Sequence, residues 1–321
     1  MTAMRHPAPT DRILTFSALL LESLLCIPDN RRCMTFELSQ KRWRRLPTAV
    51  ILALAIALRS PALAGPRDAS KATLPANDLL RAAIANEKAS ANGDYFAWMD
   101  RLQKPRGSVT KLMVNTPQGI LSRTVAVNDR ALTADERQQD DERINRLLDP
   151  EKMREKAKKQ KDDQQHIERL LLALPEAFHC DYSSASHEDR NLLLECSPNA
   201  SFSPPNYESQ VLQGMKAEIL IDQDEKRITR ITGTLFKDVS FGWGILARLN
   251  RGGRIEIIQS KVDGEHWGIT HMQLVFDGHV IVVKPLHIEE TESAWNYRSV
   301  PGMSVAQALE FLRSNSATPT H

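Results

Sequence analysis

The chain has 321 residues, of which 41% are hydrophobic and 26% are charged, and its formal net charge is +2. This is the composition of a globular protein with enough apolar side chains to build a core. The nearly balanced charge argues against a nucleic-acid partner held by bulk electrostatics, which requires a strongly basic surface.

A secretory signal is predicted in the first 64 residues. The basic cluster Lys41–Arg45 precedes an apolar run from Leu46 to Leu58, and Ala62-Leu63-Ala64 follows before Gly65. A basic segment, a short apolar segment and small residues at the −3 and −1 sites are typical of a Sec-type signal, so we expect cleavage between Ala64 and Gly65. The alternative is a membrane anchor, which needs about 20 apolar residues, and this run is too short.

The position of this signal suggests a later translation start. Signals rarely begin 40 residues into a chain, and a start at Met34 would make residues 34–64 the signal and remove residues 1–33. A twin-arginine signal at Arg44-Arg45 receives little support from the flanking Trp43 and Pro47. After cleavage we expect a periplasmic or secreted bacterial protein with no stable transmembrane span.

The first elements after the leader are a helix and three strands. Residues 65–75 are predicted to be disordered, and helical spacing over Asn77–Ala91 predicts a helix capped by Asn77 or Asp78. Turns rich in proline and glycine then separate three strand-like runs. These runs are Tyr95–Gln103, Ser108–Thr116 and Ile120–Val127.

Residues 133–174 are predicted to be a charged helical insertion. Pro150 is expected at the first position of its second helix, and Pro175 is expected to end that helix. Acidic residues interleave with the lysine-rich run 156–161, so a solvated helix face is favoured over a phosphate-binding or RNA-binding surface.

Two of the four cysteines, Cys180 and Cys196, lie at the ends of a predicted strand pair in the mature chain. An even number of cysteines in an exported protein predicts a disulfide between them. The alternative is Cys180 as a nucleophile beside His179. Consecutive residues of a strand point to opposite faces, so these two side chains would not cooperate directly.

The remainder of the chain predicts an antiparallel meander and a last helix. Alternating apolar residues mark a strand from Met215 to Ile221, and short turn signals separate the strands that follow. These strands are 227–236, 239–249, 254–262, 266–276 and 279–288, followed by the helix Ser304–Ser314 and a frayed tail, 315–321. The pattern predicts a single α+β domain, residues 76–314, with one large antiparallel sheet that is curled or closed.

No residue cluster predicts catalysis, a metal or a cofactor. His266, His271, His279, His287 and Glu289 fall on three successive strands, but none of the usual metal-ligand spacings is present. We therefore predict no catalytic residue, no metal ligand and no cofactor.

The densest apolar segment of the mature chain follows residue 234. Two interpretations remain open: a central core strand, or the lining of a hydrophobic cavity between sheet and helices that accepts acyl chains. The candidate lining residues are Leu235, Phe236, Phe241, Trp243, Ile245 and Leu246.

The order of elements, and the stretch Thr232–Gly244 with the hairpins after it, resembles the periplasmic lipoprotein carrier superfamily. This superfamily includes LolA and LolB, the LppX and LprG lipid-binding lipoproteins, and RseB-type sensors. The resemblance covers roughly residues 76–290 and implies a half-open β-barrel with apolar side chains and helices on its concave face. It implies binding of acyl chains or lipidated proteins without chemistry, and it carries over no individual residue. Ala64-Gly65 has no lipobox cysteine, so the resemblance implies a soluble carrier or sensor.

Three functions compete. The first is an exported, non-enzymatic carrier or sensor of lipid, acyl chains or lipoproteins. The second is an envelope protein-interaction module without a small ligand, whose contact surface is residues 133–169, so that deleting them would abolish partner binding and leave the fold intact. The third is an exported enzyme, for which the sequence offers no candidate cluster.

Overall fold

A computed structural model of the chain describes residues 74–90, 94–184, 190–241, 247–280 and 284–315. The predicted leader and its cleavage point between Ala64 and Gly65 lie outside the described residues. So do most of the segment 65–75 and the tail after residue 315.

The described residues form four α-helices, two short 3-10 helices and thirteen β-strands. The helices are α1 (Ala76–Ser90), α2 (Ala134–Asn145), α3 (Pro150–Ala177) and α4 (Val305–Ser314), with 3-10 helices at Arg146–Leu148 and Glu208–Gly214. The first six strands are β1 (Tyr95–Lys104), β2 (Gly107–Thr116), β3 (Gly119–Val127), β4 (Arg130–Ala131), β5 (Phe178–Tyr182) and β6 (Asn191–Pro198). The others are β7 (Met215–Asp222), β8 (Ile228–Leu235), β9 (Val239–Phe241), β10 (Ala247–Leu249), β11 (Arg254–Lys261), β12 (Trp267–Val280) and β13 (Lys284–Val300).

All thirteen strands belong to one antiparallel sheet that is not closed into a barrel. The strand order is β4-β3-β2-β1-β13-β12-β11-β8-β7-β6-β5, and the short β9–β10 pair is attached to β12. The prediction of an α+β fold with one large antiparallel sheet is confirmed. Strand β1 pairs with β13, from Tyr95 opposite Val300 to Gln103 opposite Thr291, so the first and last strands lie side by side within the sheet.

The sheet has a buried layer on each side of strand β1. Phe96 and Trp98 pack with α1 and the C-terminal part of α3, on the side that we call face A. Ala97 and Met99 point the other way, to face B, as strand geometry requires.

Face B is covered by α2, the start of α3, and α4, through Ile144, Met153 and Leu309. The resemblance to the lipoprotein carriers implies helices on the concave face of the sheet. The helices instead cover both faces of β1–β3, because both faces of these strands carry apolar residues.

The predicted helix ends are partly corrected. Pro150 is the first residue of α3, as expected, and Asp149 caps the helix by accepting a hydrogen bond from the Glu151 amide. Pro175 does not end the helix. It lies in the last turn, and the helix continues to Ala177, because a proline lacks only one helical donor and Phe178 N–H still bonds to Leu174 O.

The predicted strand 239–249 is wrong. It consists of two short strands, β9 and β10, that pair with each other antiparallel, with Leu249 opposite Val239. The chain therefore reverses between Phe241 and Ala247. Glycines at positions 242 and 244 favour a break in a strand at this point.

The outer edge of β5 is closed by one side chain of α1. Asn77 donates from Nδ2 to Phe178 O at 2.8 Å and accepts from Cys180 N at 2.9 Å. It also donates to Pro175 O in the last turn of α3. Asn77 was predicted as a helix cap. It lies inside α1, and its amide takes the place of a neighbouring strand.

Before the two residues that pair with β4, the outer edge of β3 is closed in the same way by helices α2 and α3. Gln160 accepts from Ile120 N at 3.0 Å and donates to Ile120 O at 2.9 Å. Arg143 donates to Ser122 O at 2.8 Å, and Asp140 accepts from Thr124 N at 3.2 Å. These bonds occupy backbone groups of an edge strand that would otherwise be open to pairing with other chains.

A buried ion pair holds the other end of α1 to the sheet. Arg227 donates to Glu87 at 2.7 Å, and both side chains are almost fully buried. Glu87 also accepts from Ile228 N and from Gln259 on β11. Burial raises the pKa of Glu87, and the Arg227 charge and these hydrogen bonds oppose that rise. Such a pair fixes the position of the helix, because leaving either charge alone in the interior is costly.

The predicted disulfide between Cys180 and Cys196 is present. The two residues face each other on β5 and β6, with their Cα atoms 4.1 Å apart. Both side chains are buried in the face A core, so the bond ties the last strand of the sheet to its neighbour.

We expect Gln160→Leu to lower the free energy of unfolding by about 2 kcal/mol, because both Ile120 backbone groups lose their partner at similar side-chain volume. Gln165→Leu is the matched control, since Gln165 is exposed on the same helix. Urea unfolding followed by circular dichroism measures both variants. An equal loss in the two, or none in Gln160→Leu, would show that the edge contact does not stabilise the fold.

We expect the double variant Cys180→Ser/Cys196→Ser to lose about 3 kcal/mol, because the unfolded chain is no longer constrained by a closed loop of about 15 residues. Dithiothreitol should lower the thermal midpoint of the natural chain to that of the double variant and leave the double variant unchanged. A midpoint that neither treatment moves would contradict a stabilising role of the bond.

Candidate functional site

The candidate cavity residues occupy different environments. Leu235 is 1% exposed and belongs to the face A core, and Phe241 packs against that core while remaining half-buried. Phe236 is 45% exposed, and Lys237 lies over its ring at 5.6 Å. Trp243, Ile245 and Leu246 lie outside the described residues. Only Leu235 and Phe241 are therefore placed on one apolar surface.

The histidines of the meander do not converge. His287 bonds to Asp277 and Glu289 on the surface, and these two carboxylates raise its pKa. His266 bonds to Asp263 in the turn before β12 and to Asp94. Among the described residues, no group of three or more histidine, cysteine, aspartate and glutamate side chains could hold a metal ion.

An unusual group of acidic side chains lies on face A where β1 pairs with β13. We call this group the carboxyl cluster. It consists of Asp100, Glu290 and Glu292, which are 5%, 6% and 3% exposed. Asp100 is opposite Ala294 and Glu292 is opposite Leu102, so Asp100 and Glu292 are diagonal neighbours on adjacent strands. Residues two apart on a strand point to the same face. Asp100 is therefore on face A with Trp98, and Glu292 is on face A with Ala294.

Asp100 and Glu292 hydrogen-bond to each other, with Glu292 as the donor. Burial raises the pKa of Glu292 well above its usual value, and the charges of Asp100 and Glu290 raise it further. Burial also raises the pKa of Asp100, although the bond from Glu292 and the Lys111 charge oppose that rise. Sharing a proton is therefore favourable for the two carboxyl groups, since two adjacent buried carboxylates cannot both ionise at low cost.

Lysine side chains lie near the remaining negative charge of the carboxyl cluster. Lys104 bonds to Glu290 at 2.5 Å, and the Lys104 side chain is 41% exposed, so this end of the cluster reaches solvent. Lys111 is directly opposite Asp100 on β2. Lys156 of α3 lies near Lys111, and burial together with the charges of Arg143 and Lys111 lowers the pKa of Lys156 to about 8.

The buried polar atoms of this region that have no hydrogen-bond partner include Asp100 Oδ2, Glu292 Oε2 and Trp98 Nε1. The Trp98 ring stacks on Tyr297 with centroids 5.7 Å apart, and Tyr297 OH donates to Ile269 O at 2.7 Å. Folded proteins satisfy nearly all buried polar atoms, so unpaired oxygens on adjacent strands in an apolar layer are unusual.

Comparison with known proteins gives no family. No protein-family model matches this sequence. No curated protein matches it either.

In the part of the chain that the structure describes, no helix combines the length and the apolar character that crossing a membrane requires.

The carboxyl cluster was missed in the sequence analysis, although part of its signal was present. Phe96, Trp98 and Asp100 have the same parity in β1, and Ile288, Glu290 and Glu292 have the same parity in β13. Carboxylates in register with apolar residues indicate burial. That these two strands are neighbours could not be read from local spacing.

We expect Glu292→Gln to be more stable than the natural chain at pH 7–8, with a difference that shrinks as the pH falls. A carboxyl group with a raised pKa in the folded state contributes stability that is complete below its unfolded pKa, about 4.3. That stability is lost as the pH rises through the folded pKa. Glutamine avoids the loss because it does not ionise.

Thermal unfolding between pH 4 and pH 8 measures this effect. Glu218→Gln is the control, since Glu218 is an exposed glutamate on β7. The assignment of a buried protonated carboxyl would be wrong if the two variants had the same pH dependence relative to the natural chain.

Proposed function

We propose that the chain is an exported, non-enzymatic protein that carries or senses lipids, acyl chains or lipidated proteins in the bacterial periplasm. The observation that carries the proposal is the path of α3. This helix contacts β3 near one end of the sheet and leads directly into β5 at the other end.

The length of α3 supports a strongly curved, half-open sheet. Seventeen residues separate Gln160, bonded to β3, from Ala177, where β5 begins, and this is about 26 Å of helix. Nine inter-strand steps of about 4.8 Å separate β3 from β5 along the sheet, roughly 43 Å if it were flat. This length of helix is much shorter than the distance from β3 to β5 across a flat sheet. The difference favours a sheet that curls, with α3 across its opening.

The side of the sheet that faces α1 and α3 carries apolar residues from several strands. Apolar residues of β7, β8, β11 and β12 contribute to face A, including Ile219, Leu235, Met272 and Leu274. A curved apolar surface under two helices is the type of site in which an acyl chain is removed from water. The element order that resembles the LolA and LolB superfamily supports the same assignment.

The disulfide supports an exported location. Bonds of this kind persist in oxidising compartments and are rare in the reducing cytosol. The predicted signal at residues 34–64 agrees with this location.

A second candidate is an envelope protein-interaction module that uses the surface of α2 and α3. Leu148 and Leu172 are about half exposed there, although they are large and apolar. Deleting this segment would not leave the fold intact, because Asp140 and Gln160 close the β3 edge and Ile144 is fully buried. Surface substitutions at Leu148 and Leu172 are therefore the appropriate test.

The first experiment is native mass spectrometry of the chain, exported with its own leader and purified from the periplasm without detergent. We expect a mass that begins at Gly65, two hydrogens light, with bound molecules that fragment as fatty acid or phospholipid. A protein that stays free of adducts after incubation with a lipid extract would contradict the carrier function and favour the protein-interaction module.

A substitution pair tests the surface that binds. We expect Phe241→Ser to weaken binding of a fluorescent fatty acid about tenfold, because Phe241 packs against the apolar core of face A. Phe236→Ser is the matched control, since Phe236 is exposed. Fluorescence titration gives both affinities, and thermal unfolding verifies that both variants are folded. Equal affinities would exclude Phe241 from the binding surface.

A further inference from the structure

The carboxyl cluster contains two acceptor oxygens that the protein does not use. Asp100 Oδ2 and Glu292 Oε2 are buried and unpaired, although the other oxygens of the two groups join them to each other. Each such atom destabilises the folded protein, because it has lost its hydrogen bonds to water and gained no partner. Their side chains lie on neighbouring strands and on the same face.

Groups on the surrounding elements do not supply the missing donors. Lys104 of β1 bonds to Glu290. Lys111 of β2 acts on Asp100 and Glu292 through its charge, and no hydrogen bond joins it to either. Lys156 of α3 is held near Lys111. Trp98, two residues before Asp100 on the same face, has an unpaired N–H of its own, so the unpaired atoms extend beyond the acidic side chains.

We propose that Asp100 and Glu292 form a binding site for the ammonium group of an organic amine. An ammonium group has three N–H donors, and the pair offers two free oxygens on adjacent strands. The stacked rings of Trp98 and Tyr297 are aromatic faces of the kind that attract a cation. The exposed side chain of Lys104 marks the end of the cluster from which an amine would enter.

This inference rests on the proposed function for the remainder of the ligand. The carboxyl cluster is on face A, next to apolar residues of β12. Met272 is opposite Glu292, and Leu274 is opposite Glu290. An amine with an alkyl chain would therefore place its charge at the carboxyl pair and its chain on the apolar residues of β12. The ligand class is a long-chain primary amine or a lipid with an amine head group.

Binding has a defined proton balance. In the free protein, Glu292 holds the proton that it shares with Asp100. When the ammonium group arrives, that proton leaves to solvent and both groups become carboxylates, because a positive charge between them replaces the proton. One proton is released for each amine bound, and no covalent bond changes.

Anions and metal ions fit this site less well. The free atoms of the pair are acceptor oxygens, which repel a phosphate or a carboxylate. Among the described residues no side-chain group has the arrangement that a metal ion needs. A buried water molecule is the remaining occupant, and it would bind without releasing a proton.

The test is isothermal titration of the full mature chain at pH 7 with n-octylamine and, separately, with 1-octanol. The two probes have the same alkyl chain, so the difference between their affinities measures the contribution of the ammonium group. We expect octylamine to bind at least tenfold more tightly than octanol. Titrations in phosphate and in Tris, which differ in ionisation enthalpy, should show release of one proton per octylamine and none per octanol.

Glu292→Gln and Asp100→Asn should each reduce octylamine affinity to that of octanol and abolish proton release. Both substitutions keep the side-chain shape, and circular dichroism verifies the fold. Glu289→Gln is the control, because Glu289 is on the same strand and on the opposite face, and it should retain the tenfold preference.

The outcomes separate this site from the carrier function. Equal binding of both probes without proton release would overturn the amine site and leave the apolar surface standing. Octylamine binding with proton release, without octanol binding, would support the amine site and contradict the carrier function. Binding of neither probe would overturn both, and the pair would then hold a buried water only.

Discussion

An open antiparallel sheet has two edges, and closing both of them is the constraint on which the rest of this fold depends. Unpaired backbone groups at a sheet edge invite pairing with other chains. Here side chains of helices take the place of missing strands: Asn77 at β5, and Gln160 with Asp140 at β3. An amide side chain suits this role because it donates and accepts like a peptide group.

This way of closing the edges explains why α3 is so long and why it runs from β3 to β5. Its first half serves one edge through Gln160, and its last residue leads into the other edge at Phe178. The charged sequence of α2 and α3 resembles an insertion that could be removed. These two helices nevertheless support the fold. Charged residues face solvent, while Ile144 and Met153 fill the core of face B.

The carboxyl cluster shows where this fold departs from the rule that buried polar groups are satisfied. The disulfide and the Glu87–Arg227 pair place reactive or charged groups inside the protein and join them to each other. Asp100 and Glu292 are buried with one oxygen each unpaired. The Asp100–Glu292 pair differs from these groups because its unpaired atoms are acceptor oxygens on adjacent strands. In the proposed carrier, this pair would select the head group of a ligand whose chain lies on the apolar surface.

Local sequence patterns determined much of the secondary structure. Spacing of apolar residues located α1, α4 and strands β1–β3, Pro150 marked the start of α3, and the cysteine pair predicted the disulfide. Only the tertiary structure decided that β1 lies beside β13, that Asn77 serves a strand edge, and that 239–249 is a hairpin. The physical reason is that spacing fixes the face to which a side chain points, whereas its partner depends on which distant strands become neighbours. The Asp100–Glu292 pair joins residues from opposite ends of the described chain, so only the folded sheet brings it together.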